Sequence, residues 1–539
     1  PCKPACPAHI AVQGYLKMAA QGRYRDALAL IKKENPFPAV CGRVCNRRCE
    51  DACTRGTVDQ AVAIDAVKKF IAEQDLNAAH RYVPDVVQPS LQGPWPQKIA
   101  IIGAGPAGLS CAFYLAEKGY KPVVFEKNER PGGMLTYGIP SFKLQKDVIE
   151  AEVEVIRLMG AEFRYGVEVG RDVTLDELRA QGFKAFYVAI GCQGGRLAGI
   201  PGEGAEDVTV AVDFLREVNS GKIDALPGRT IVVGGGNVAI DVARNACRLG
   251  SEHVEMFCLE SEAQMPASEE ERREAVEDGA HISCGWGPKE VHLDEAGRVC
   301  GITFKRCTRV FDDEGRFAPE YDENDLRRVD ADRVVMSIGQ SIVWGDLLAG
   351  SKVELGRGQG ALADPQTYQT AEPDIFVGGD VYTGPSFAID AIAAGHEAAV
   401  SIHRFVQPGS TLTIGRNQRR YTALDRDDVV IESYDNASRE VAHVDREREK
   451  AAPFSEYVET FTEEQVRAET ARCLGCGASI VDPNKCIGCG LCTTKCAFDA
   501  IHLDRDRPEC STMVKYEQKL PSLGKYALKR AIKIKFGKK

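Results

Sequence analysis

The order of hydrophobic and polar positions divides the chain into regions of different periodicity. Apolar residues recur at helical spacing along the N-terminal region, and a linker with four prolines follows at 83–97. From 98 to about 406, short β-branched runs alternate with helical stretches, which is typical of βαβ units. Residues 407–453 are polar and weakly periodic, and Thr462 with Gln465 forms a capping-box pattern that predicts a short helix.

The first buried strand of the βαβ region runs into a glycine-rich turn. In this pattern the first glycine permits the tight turn, the second lets the backbone approach a pyrophosphate, and the third lets the helix pack on the strand. The next strand ends at Glu126, where a carboxylate can bind ribose hydroxyls, and another close-backbone loop follows. The candidate dinucleotide-binding residues are Gly103, Gly105, Pro106, Ala107, Gly108, Glu126, Lys127, Gly133 and Leu135.

A second glycine-rich turn follows another buried strand, with Ala239 where the third glycine stands. Its next strand ends at Glu260. A carboxylate there bonds a free 2′-hydroxyl and repels a 2′-phosphate, so the sequence favours NADH over NADPH. Arg244 and Arg248 remain as side chains that could reach a phosphate. The candidate residues of this site are Gly234, Gly236, Asn237, Val238, Ala239 and Glu260.

Thirteen of the twenty cysteines lie in two groups near the ends of the sequence, at spacings that bind iron–sulfur clusters. Zinc is the alternative for the first group, although its four-residue spacing suits zinc less well than CxxC does. Disulfides are disfavoured, because the chain is long and shows no secretory signal, and a reducing cytoplasm is the expected location. The first group is Cys2, Cys6, Cys41, Cys45, Cys49 and Cys53, and the second is Cys473, Cys476, Cys486, Cys489, Cys492, Cys496 and Cys510.

Part of the second group has the spacing of a bacterial ferredoxin. Four cysteines from Cys486 to Cys496 follow it, with Ala497 in place of the usual proline. The Cys473/Cys476 pair supplies half of another site. Seven cysteines are one short of two full sets, so either one site uses a non-thiolate or partner ligand, or this pair binds zinc.

Charge and hydropathy exclude some classes of protein. The formal net charge of −10 argues against nucleic acid as a partner. The sequence contains no run of about 18 apolar residues, so no membrane span is expected. Beyond Cys510 the chain carries nine Lys/Arg against Glu517 alone, either as a solvated face or as a surface that docks on an acidic partner. Because the numbering starts at Pro1 inside a cysteine motif, we expect an upstream segment.

Several ordered motifs carry a resemblance that covers roughly residues 1–410. Gly103 to Gly108, Gly132-Gly133, Gly138-Ile139-Pro140 and the late stretch from Ile375 to Asp380 resemble the small subunit of glutamate synthase. The same module recurs in dihydropyrimidine dehydrogenase and in NADH-dependent ferredoxin:NADP oxidoreductases. The resemblance implies that the first motif holds FAD, that Gly379 and Asp380 lie near its ribityl and pyrophosphate groups, and that the helix at 388–399 lies beside it.

The resemblance also implies NADPH at the second motif, where the family commonly carries an arginine pair. Leu259 and Glu260 stand at those positions here, which departs from the family and puts NADPH in doubt. The absence of any CxxC near the flavin motif argues against a thioredoxin-reductase-like enzyme. We therefore expect the seven remaining cysteines to be small buried hydrophobes.

For the first cysteine group, the resemblance implies two [4Fe–4S] clusters. By position, Cys6, Cys45 and Cys49 match one cluster, whereas Cys2 and Cys53 match the other. The family often completes the first cluster with Gln or Glu, but Lys68 stands there and is not a credible ligand, so Cys41 is the expected substitute. The second cluster needs two more thiolates, which we expect upstream of Pro1.

Motifs and resemblance together predict an α/β flavoprotein with two dinucleotide-binding domains, the NAD(P) Rossmann-like domain being inserted in the FAD Rossmann-like domain. An N-terminal α-helical iron–sulfur domain and a C-terminal ferredoxin-like domain flank them. The predicted boundaries are 1–95 for the helical iron–sulfur domain, 96–205 and 335–410 for the FAD domain, 206–334 for the NAD(P) domain, 411–470 for a linker, and 471–539 for the ferredoxin-like domain with its basic tail.

The predicted activity is that of a diaphorase-type NAD(P)H-dependent FAD/iron–sulfur oxidoreductase subunit. Hydride passes between nicotinamide and FAD, and single electrons pass through [4Fe–4S] clusters, two to four in number, to or from a partner subunit or ferredoxin. Electron bifurcation at the flavin stays open. Since the cofactors carry the chemistry, no catalytic side chain is nominated. The alternatives are the glutamate synthase small subunit proper and an assembly scaffold in which the clusters are structural.

Overall fold

Two parallel sheets organise most of the chain, and a glycine-rich turn follows one strand of each. The computed structural model describes residues 1–91, 93–417, 419, 421, 423–429, 431, 433–477, 481, 485–496, 501–504 and 515–537. The chain divides into two compact units, Pro1–Gly477 and Ala478–Lys539.

The first unit begins with a group of short helices, as the helical spacing predicted. Their apolar faces are buried; Leu16, Ile31 and Val67 are at most 2% exposed. A 3₁₀ turn at Thr54–Thr57 precedes the last helix. The helices are α1 (Cys2–Ala5), α2 (Val12–Ala20), α3 (Tyr24–Lys32), α4 (Pro38–Val44), α5 (Arg48–Asp51) and α6 (Ile64–Leu76).

The chain then enters the first parallel sheet. Its strands are mostly apolar and buried, because helices cover both faces, except for the edge strand at Glu162–Tyr165, which has no buried residue. The elements are β1 (Lys98–Ile102), α7 (Pro106–Glu117), β2 (Val123–Glu126), α8 (Met134–Tyr137), α9 (Lys146–Leu158), β3 (Glu162–Tyr165), α10 (Leu175–Ala180), β4 (Phe183–Val188) and the short β5 (Gly194–Gly195).

Before the first sheet is complete, the chain builds a second domain. Its parallel sheet has the order β6-β13-β7-β8-β9, and a three-stranded antiparallel sheet, β10-β11-β12, packs beside it. The elements are β6 (Val208–Val210), α11 (Ala211–Asn219), β7 (Arg229–Val233), α12 (Asn237–Arg248), β8 (His253–Cys258), α13 (Glu269–Glu277), β9 (His281–Cys284), β10 (Trp286–Leu293), β11 (Val299–Phe311), β12 (Phe317–Val329), β13 (Arg333–Met336) and β14 (Gln340–Ser341).

The chain returns to the first sheet through β14, which pairs antiparallel with β5. Strand β15 (Ile375–Val377) completes the order β15-β4-β1-β2-β3, and α14 (Asp380–Thr383) and α15 (Ala388–Val406) follow. A Cβ on Gly395 would lie 2.2 Å from the Ala107 carbonyl oxygen, so glycine allows α15 to approach α7 closely. The insertion of one Rossmann-like domain in the other is confirmed.

The stretch expected as a linker, 411–470, packs on the first unit. It contains α16 (Arg446–Ala451) and α17 (Glu463–Ala471). Both bonds of the Thr462–Gln465 capping box are present, as the sequence predicted. Tyr457, Phe461 and Val466 are buried, which anchors this charged segment through the few apolar side chains that it has.

The second unit contributes two helices to the described residues, α18 (Leu491–Lys495) and α19 (Tyr516–Phe536). Helix α19 carries the basic tail and is exposed along its described length. None of the helices in the described part of the chain has the length and apolar character that crossing a membrane requires.

Candidate functional site

A cavity at the carboxyl edge of the first sheet collects most of the residues predicted from the first motif. Parallel strands place their carboxyl ends at one edge, where ligands of open α/β sheets bind. Gly108 is not at the cavity surface: a Cβ there would lie 1.9 Å from the Gly103 carbonyl oxygen, so it packs helix against turn as expected. The predicted residues that line the cavity are Gly103, Gly105, Pro106, Ala107, Glu126, Lys127, Gly133, Leu135, Gly379 and Asp380.

The first turn has the shape that a pyrophosphate requires. Gly103 has φ +103°, and a Cβ there would lie 2.5 Å from the Ala189 carbonyl oxygen, so only glycine fits. A Cβ on Gly105 would meet no described atom within 4 Å, because that side faces the cavity. Helix α7 starts here without a side-chain cap among the described residues, which leaves its N-terminal N–H groups for an anion.

Glu126 is held at the end of β2 with its carboxylate at the cavity. Its Oε2 accepts the Ala104 N–H at 2.8 Å and its Oε1 accepts the Asn128 N–H at 2.9 Å. The side chain is 4% exposed. Fixed in this way, the carboxylate fits the predicted contact with ribose hydroxyls.

Asp380 enters the same cavity from the start of α14, after Gly379 with φ +67°. Its Oδ1 accepts the Ser386 N–H at 3.2 Å. Burial raises the pKa of Asp380 from 3.8 to about 6. Its contact with the ribityl and pyrophosphate groups, which the resemblance implied, stays a prediction.

Sequence reasoning missed several cavity residues that belong to no motif, including Gln193, Trp344 and Phe387. Gln193 is oriented by Arg216, whose Nη2 donates to its Oε1 at 2.7 Å. Trp344 comes from the loop after β14, and Phe387 directly precedes α15. Phe387 could have been predicted, because it directly precedes the helix at 388–399 that the resemblance places beside FAD. Trp344 could not, because it reaches the cavity only where the chain returns to the first sheet.

The second glycine-rich turn has the same construction as the first. Gly234 has φ +143°, a Cβ on it would lie 2.3 Å from the Ser337 carbonyl oxygen, and a Cβ on Gly236 would meet no described atom within 4 Å. Ala239 is fully buried, which shows that alanine suffices at the third position. The Asn237 Oδ1 accepts the Ser268 N–H at 3.2 Å. A nicotinamide dinucleotide therefore fits this turn.

The cavity of the first turn extends to the start of the helix that follows the second turn, whereas the predicted residues Gly234, Gly236, Asn237, Ala239 and Glu260 do not line it. Val238 and Asp241, at the start of α12, line the same cavity as Gly105 and Asp380. Asp241 also pairs with Lys143 of the first domain, whose Nζ lies 2.6 Å from its Oδ1. Burial raises the pKa of Asp241, and Lys143 opposes that shift. This buried pair joins the two domains beside the cavity.

The structure places Glu260 over the second turn, where a Cβ on Gly235 would lie 3.0 Å from the Glu260 Oε2. It also rules out the alternative that Arg244 or Arg248 is free to bind a phosphate. Arg244 Nε donates to Asp278 at 2.8 Å, and Arg248 Nη2 donates to Asp278 at 2.8 Å. Arg248 also pairs with Glu449. Both guanidinium groups are therefore already neutralised by carboxylates.

One set of N-terminal thiols surrounds Lys68. Cys41 is 1% exposed and Lys68 is 3% exposed. Burial raises the pKa of Cys41, Cys45 and Cys49, and the Lys68 ammonium opposes that shift in all three. Lys68 Nζ also pairs with Asp65 at 2.5 Å. Cys41 thus lies with Cys45 and Cys49, where it can substitute for the ligand that Lys68 replaces.

A second set is assembled from distant parts of the chain. Cys2, Cys53, Cys473 and Cys476 line one small pocket of the first unit. Burial raises the pKa of Cys2 to about 12, and Cys473, Cys476 and Cys53 add to the shift. The structure therefore differs from the predicted grouping of Cys473 and Cys476 with the ferredoxin-like tail, because the compact first unit extends to Gly477.

The tail cysteines form a local set in the second unit. Cys486, Cys489 and Cys492 are exposed and Cys496 is half-buried. The Gly488 N–H donates to the Cys486 sulfur at 3.5 Å. Cys510 lies outside the described residues. In the described part of the chain, no three His, Cys, Asp or Glu side chains are arranged to hold a single metal ion, so zinc at Cys473/Cys476 finds no support.

The cysteines between the two groups are partly as predicted. Cys111, Cys192, Cys258 and Cys307 are buried, whereas Cys247, Cys284 and Cys300 are half-buried. One proximity was not foreseen: the sulfurs of Cys258 and Cys284 lie 3.6 Å apart, because β8 and β9 pair in parallel at these residues.

Models of known protein families match three separate parts of the chain. The model of the family described as pyridine nucleotide-disulphide oxidoreductase matches residues 97–395. The model of dihydropyrimidine dehydrogenase domain II with its 4Fe-4S cluster matches residues 1–80, and a 4Fe-4S binding domain matches residues 479–502. The three models cover both glycine-rich turns, the first cysteine group and the tail cysteines from Cys486 to Cys496, whereas Cys473, Cys476 and Cys510 lie outside the matched residues.

Similar curated proteins include subunits of several oxidoreductases. The NADP(+)-dependent formate dehydrogenase subunit beta of Moorella thermoacetica is 35% identical and covers 88% of this chain and 70% of its own. The glutamate synthase [NADPH] small chain of Escherichia coli is 35% identical, covering 75% and 88%. The NADPH-Fe(3+) oxidoreductase subunit beta of Geobacter sulfurreducens is 32% identical, covering 88% and 75%.

Among solved structures, FprA from Mycobacterium tuberculosis is similar with a TM-score of 0.51 and 19% identity. The similarity covers 70% of this chain and 100% of that chain. At this level of identity the likeness concerns the fold of the two nucleotide-binding domains.

Proposed function

Because the chain belongs to the pyridine nucleotide-disulphide oxidoreductase family, we propose that it is the nicotinamide-oxidising, electron-delivering subunit of a multi-subunit oxidoreductase. It is an NAD(P)H-dependent FAD/iron–sulfur oxidoreductase subunit. In the proposed direction, electrons pass from nicotinamide through FAD to the [4Fe–4S] clusters and then to a partner subunit or ferredoxin. One observation carries it: the start of α12 and the first glycine-rich turn line the same cavity.

The side chains of the cavity bind and orient, and none needs to act as an acid or base. FAD and nicotinamide, when bound, supply the hydride and single-electron chemistry. Gly105 would leave room for the pyrophosphate, Glu126 would offer its carboxylate to the ribose, and Asp380 would bind the polar part of the flavin nucleotide. Val238 closes the cavity from the side of the second turn and helps to exclude water.

NADH is the proposed nucleotide. The Glu260 carboxylate lies at the second turn, and the described arginines on α12 are held by Asp278 and Glu449. A 2′-phosphate would therefore face a carboxylate with no free guanidinium from this helix. We expect kcat/KM for NADH to exceed that for NADPH, as measured by dye reduction on one preparation. Replacing Leu259 and Glu260 by arginine should reverse the preference. If the ratio of kcat/KM for NADH to that for NADPH did not change on the replacement, this role of Glu260 would be contradicted.

The partner is proposed to be a catalytic subunit of the kind that the β-subunit relatives serve, such as a formate dehydrogenase. The relatives from Moorella and Geobacter match 88% of this chain, whereas the glutamate synthase small chain matches 75%. A 4Fe-4S binding domain also matches residues 479–502 of this chain. The glutamate synthase small subunit remains the second candidate, supported by its match over 75% of this chain.

Anaerobic titration of the purified complex tests the proposal. NADH should bleach the flavin absorbance and then produce EPR signals of reduced [4Fe–4S] clusters. If NADH bleached the flavin but gave no EPR signal from the clusters, although dithionite reduced them at the same potential, the structural-scaffold alternative would be favoured. Co-purification with a glutamine-hydrolysing large subunit would instead favour glutamate synthase.

A further inference from the structure

We propose that Cys2, Cys53, Cys473 and Cys476 hold one [4Fe–4S] cluster, completed by a segment from the far end of the first unit. The four cysteines line a single pocket that is otherwise mostly apolar. Four thiolates are the full ligand set of such a cluster. The assignment does not depend on the proposed activity, because the ligands of a cluster can be determined without turnover.

The segment that carries the last two thiolates is firmly attached to the N-terminal helices. Helix α17 packs on α2, and its Val466 is fully buried. The helix ends at Ala471, immediately before Arg472 and Cys473. The position of Cys473 therefore follows from the packing of a regular element and not from a free loop.

Buried ion pairs then fix the chain next to the cysteines. Arg472 and Glu469 are at most 1% exposed and pair at 2.7 Å. Arg472 Nη2 donates to Asp59 at 2.9 Å and to the Gln60 carbonyl oxygen at 2.6 Å. Glu469 Oε1 accepts the Ala63 N–H at 2.7 Å. These bonds join the residue before Cys473 to the loop that follows Cys53.

A second connection forms on the other side of the pocket. Arg55, two residues after Cys53, is 1% exposed, and its Nη1 donates to the Arg472 carbonyl oxygen at 3.4 Å. Gln13 of α2 donates from Nε2 to the Cys476 carbonyl oxygen and lies 3.9 Å from the Cys476 sulfur. Hydrogen bonds to cluster sulfurs and their ligands are a known means of tuning such sites.

The surroundings suit a cluster better than a single ion. Among the described residues no three potential ligands converge on one point, as zinc would require. A four-iron cube holds its thiolates farther apart than one ion does, and the apolar Leu16, Val62 and Ile64 keep water from it. The cysteines from Cys486 to Cys496 then form a complete set of their own, which removes the predicted shortfall of one ligand.

Three double variants of the full chain, the combination of the first two and one control, all isolated anaerobically with any bound partner, test the assignment. Cys473→Ala/Cys476→Ala should lose one four-iron cluster per FAD and one EPR signal of the dithionite-reduced protein. Cys2→Ala/Cys53→Ala should lose the same iron and the same signal, and the combined variant should lose no more. Cys486→Ala/Cys489→Ala should lose a different cluster, so that its loss adds to the others. Cys300→Ala is the control and should keep all iron.

The proposal is wrong if Cys473→Ala/Cys476→Ala retains all iron, or if it loses the cluster that Cys486→Ala/Cys489→Ala loses. If the variants fail to retain FAD, differential alkylation of the unaltered protein provides a second test of the assignment. As iron is chelated stepwise, Cys473 and Cys476 should become reactive at the same step as Cys2 and Cys53. Reactivity at the step of Cys486 and Cys489 instead would overturn the assignment on its own.

Discussion

Two cysteine sets of this protein are built in opposite ways. The four cysteines between 486 and 496 lie on one short stretch and are mostly exposed. The set of Cys2, Cys53, Cys473 and Cys476 joins residues from both ends of the first unit and is enclosed by apolar side chains. The geometry of a local set is determined by its own loop. The geometry of a set from distant residues is determined by all the packing contacts and ion pairs that hold the distant segments together.

Removing a buried charge next to the long-range set should have the largest effect. We expect Arg472→Ala to leave the buried Glu469 without its ion-pair partner, at a cost of about 3–5 kcal/mol in the free energy of unfolding. The same variant should lose the cluster assigned to Cys2 while keeping that of the tail. Denaturant unfolding and iron per FAD measure both effects.

Arg467→Ala is the matched control for Arg472→Ala. Arg467 is exposed on the helix that ends just before Arg472 and pairs with Glu463, so its loss should cost less than about 0.5 kcal/mol. If both variants lost equal stability and equal iron, the ion pair and hydrogen bonds of Arg472 would not be what holds Cys473 in place.

An intermediate effect is expected from the buried cation beside Cys41, Cys45 and Cys49. Lys68→Met removes a positive charge that favours the reduced cluster, so the midpoint potential should fall. For unit charges roughly 8 Å apart in an effective dielectric of about 20, the change is about 2 kcal/mol, on the order of 50–100 mV. EPR-monitored redox titration measures it.

The tail provides the comparison for Lys68. Lys495 is exposed beside Cys496, so solvent and salt screen its charge. Lys495→Met should shift the potential of the tail cluster by much less than Lys68→Met shifts its own. A larger shift in the tail would show that burial does not control the electrostatics of these sites.

The smallest expected difference concerns the rate of iron loss. Three of the four thiols from Cys486 to Cys496 are exposed, whereas those of the long-range set are buried or half-buried, so a chelator should remove iron from the tail first. We expect a rate difference of roughly tenfold, which corresponds to about 1.4 kcal/mol in the barrier. Stopped samples analysed by EPR would show which signal decays first, and simultaneous decay would contradict the difference in accessibility.

Much of the nucleotide-binding region was predictable from local pattern. The turns at Gly103 and Gly234 follow buried strands, as their sequences indicated, and Ala239 packs where a third glycine is usual. The pairing of Arg244 and Arg248 with Asp278 was not predictable, because their partners lie one helix away. Trp344 enters the cavity only because β14 pairs with β5.

By itself the sequence determined two dinucleotide folds, one inserted in the other, and the residue types that bind nucleotides and iron. It did so because glycine conformation, strand periodicity and cysteine spacing are local properties. The resemblance already grouped Cys2 with Cys53, but only the tertiary structure decided where Cys473 and Cys476 lie. Cys473 and Cys476 join Cys2 and Cys53 because α17 buries Val466 and the Arg472–Glu469 pair against the N-terminal helices. That packing involves residues hundreds of positions apart, which spacing along the chain does not record.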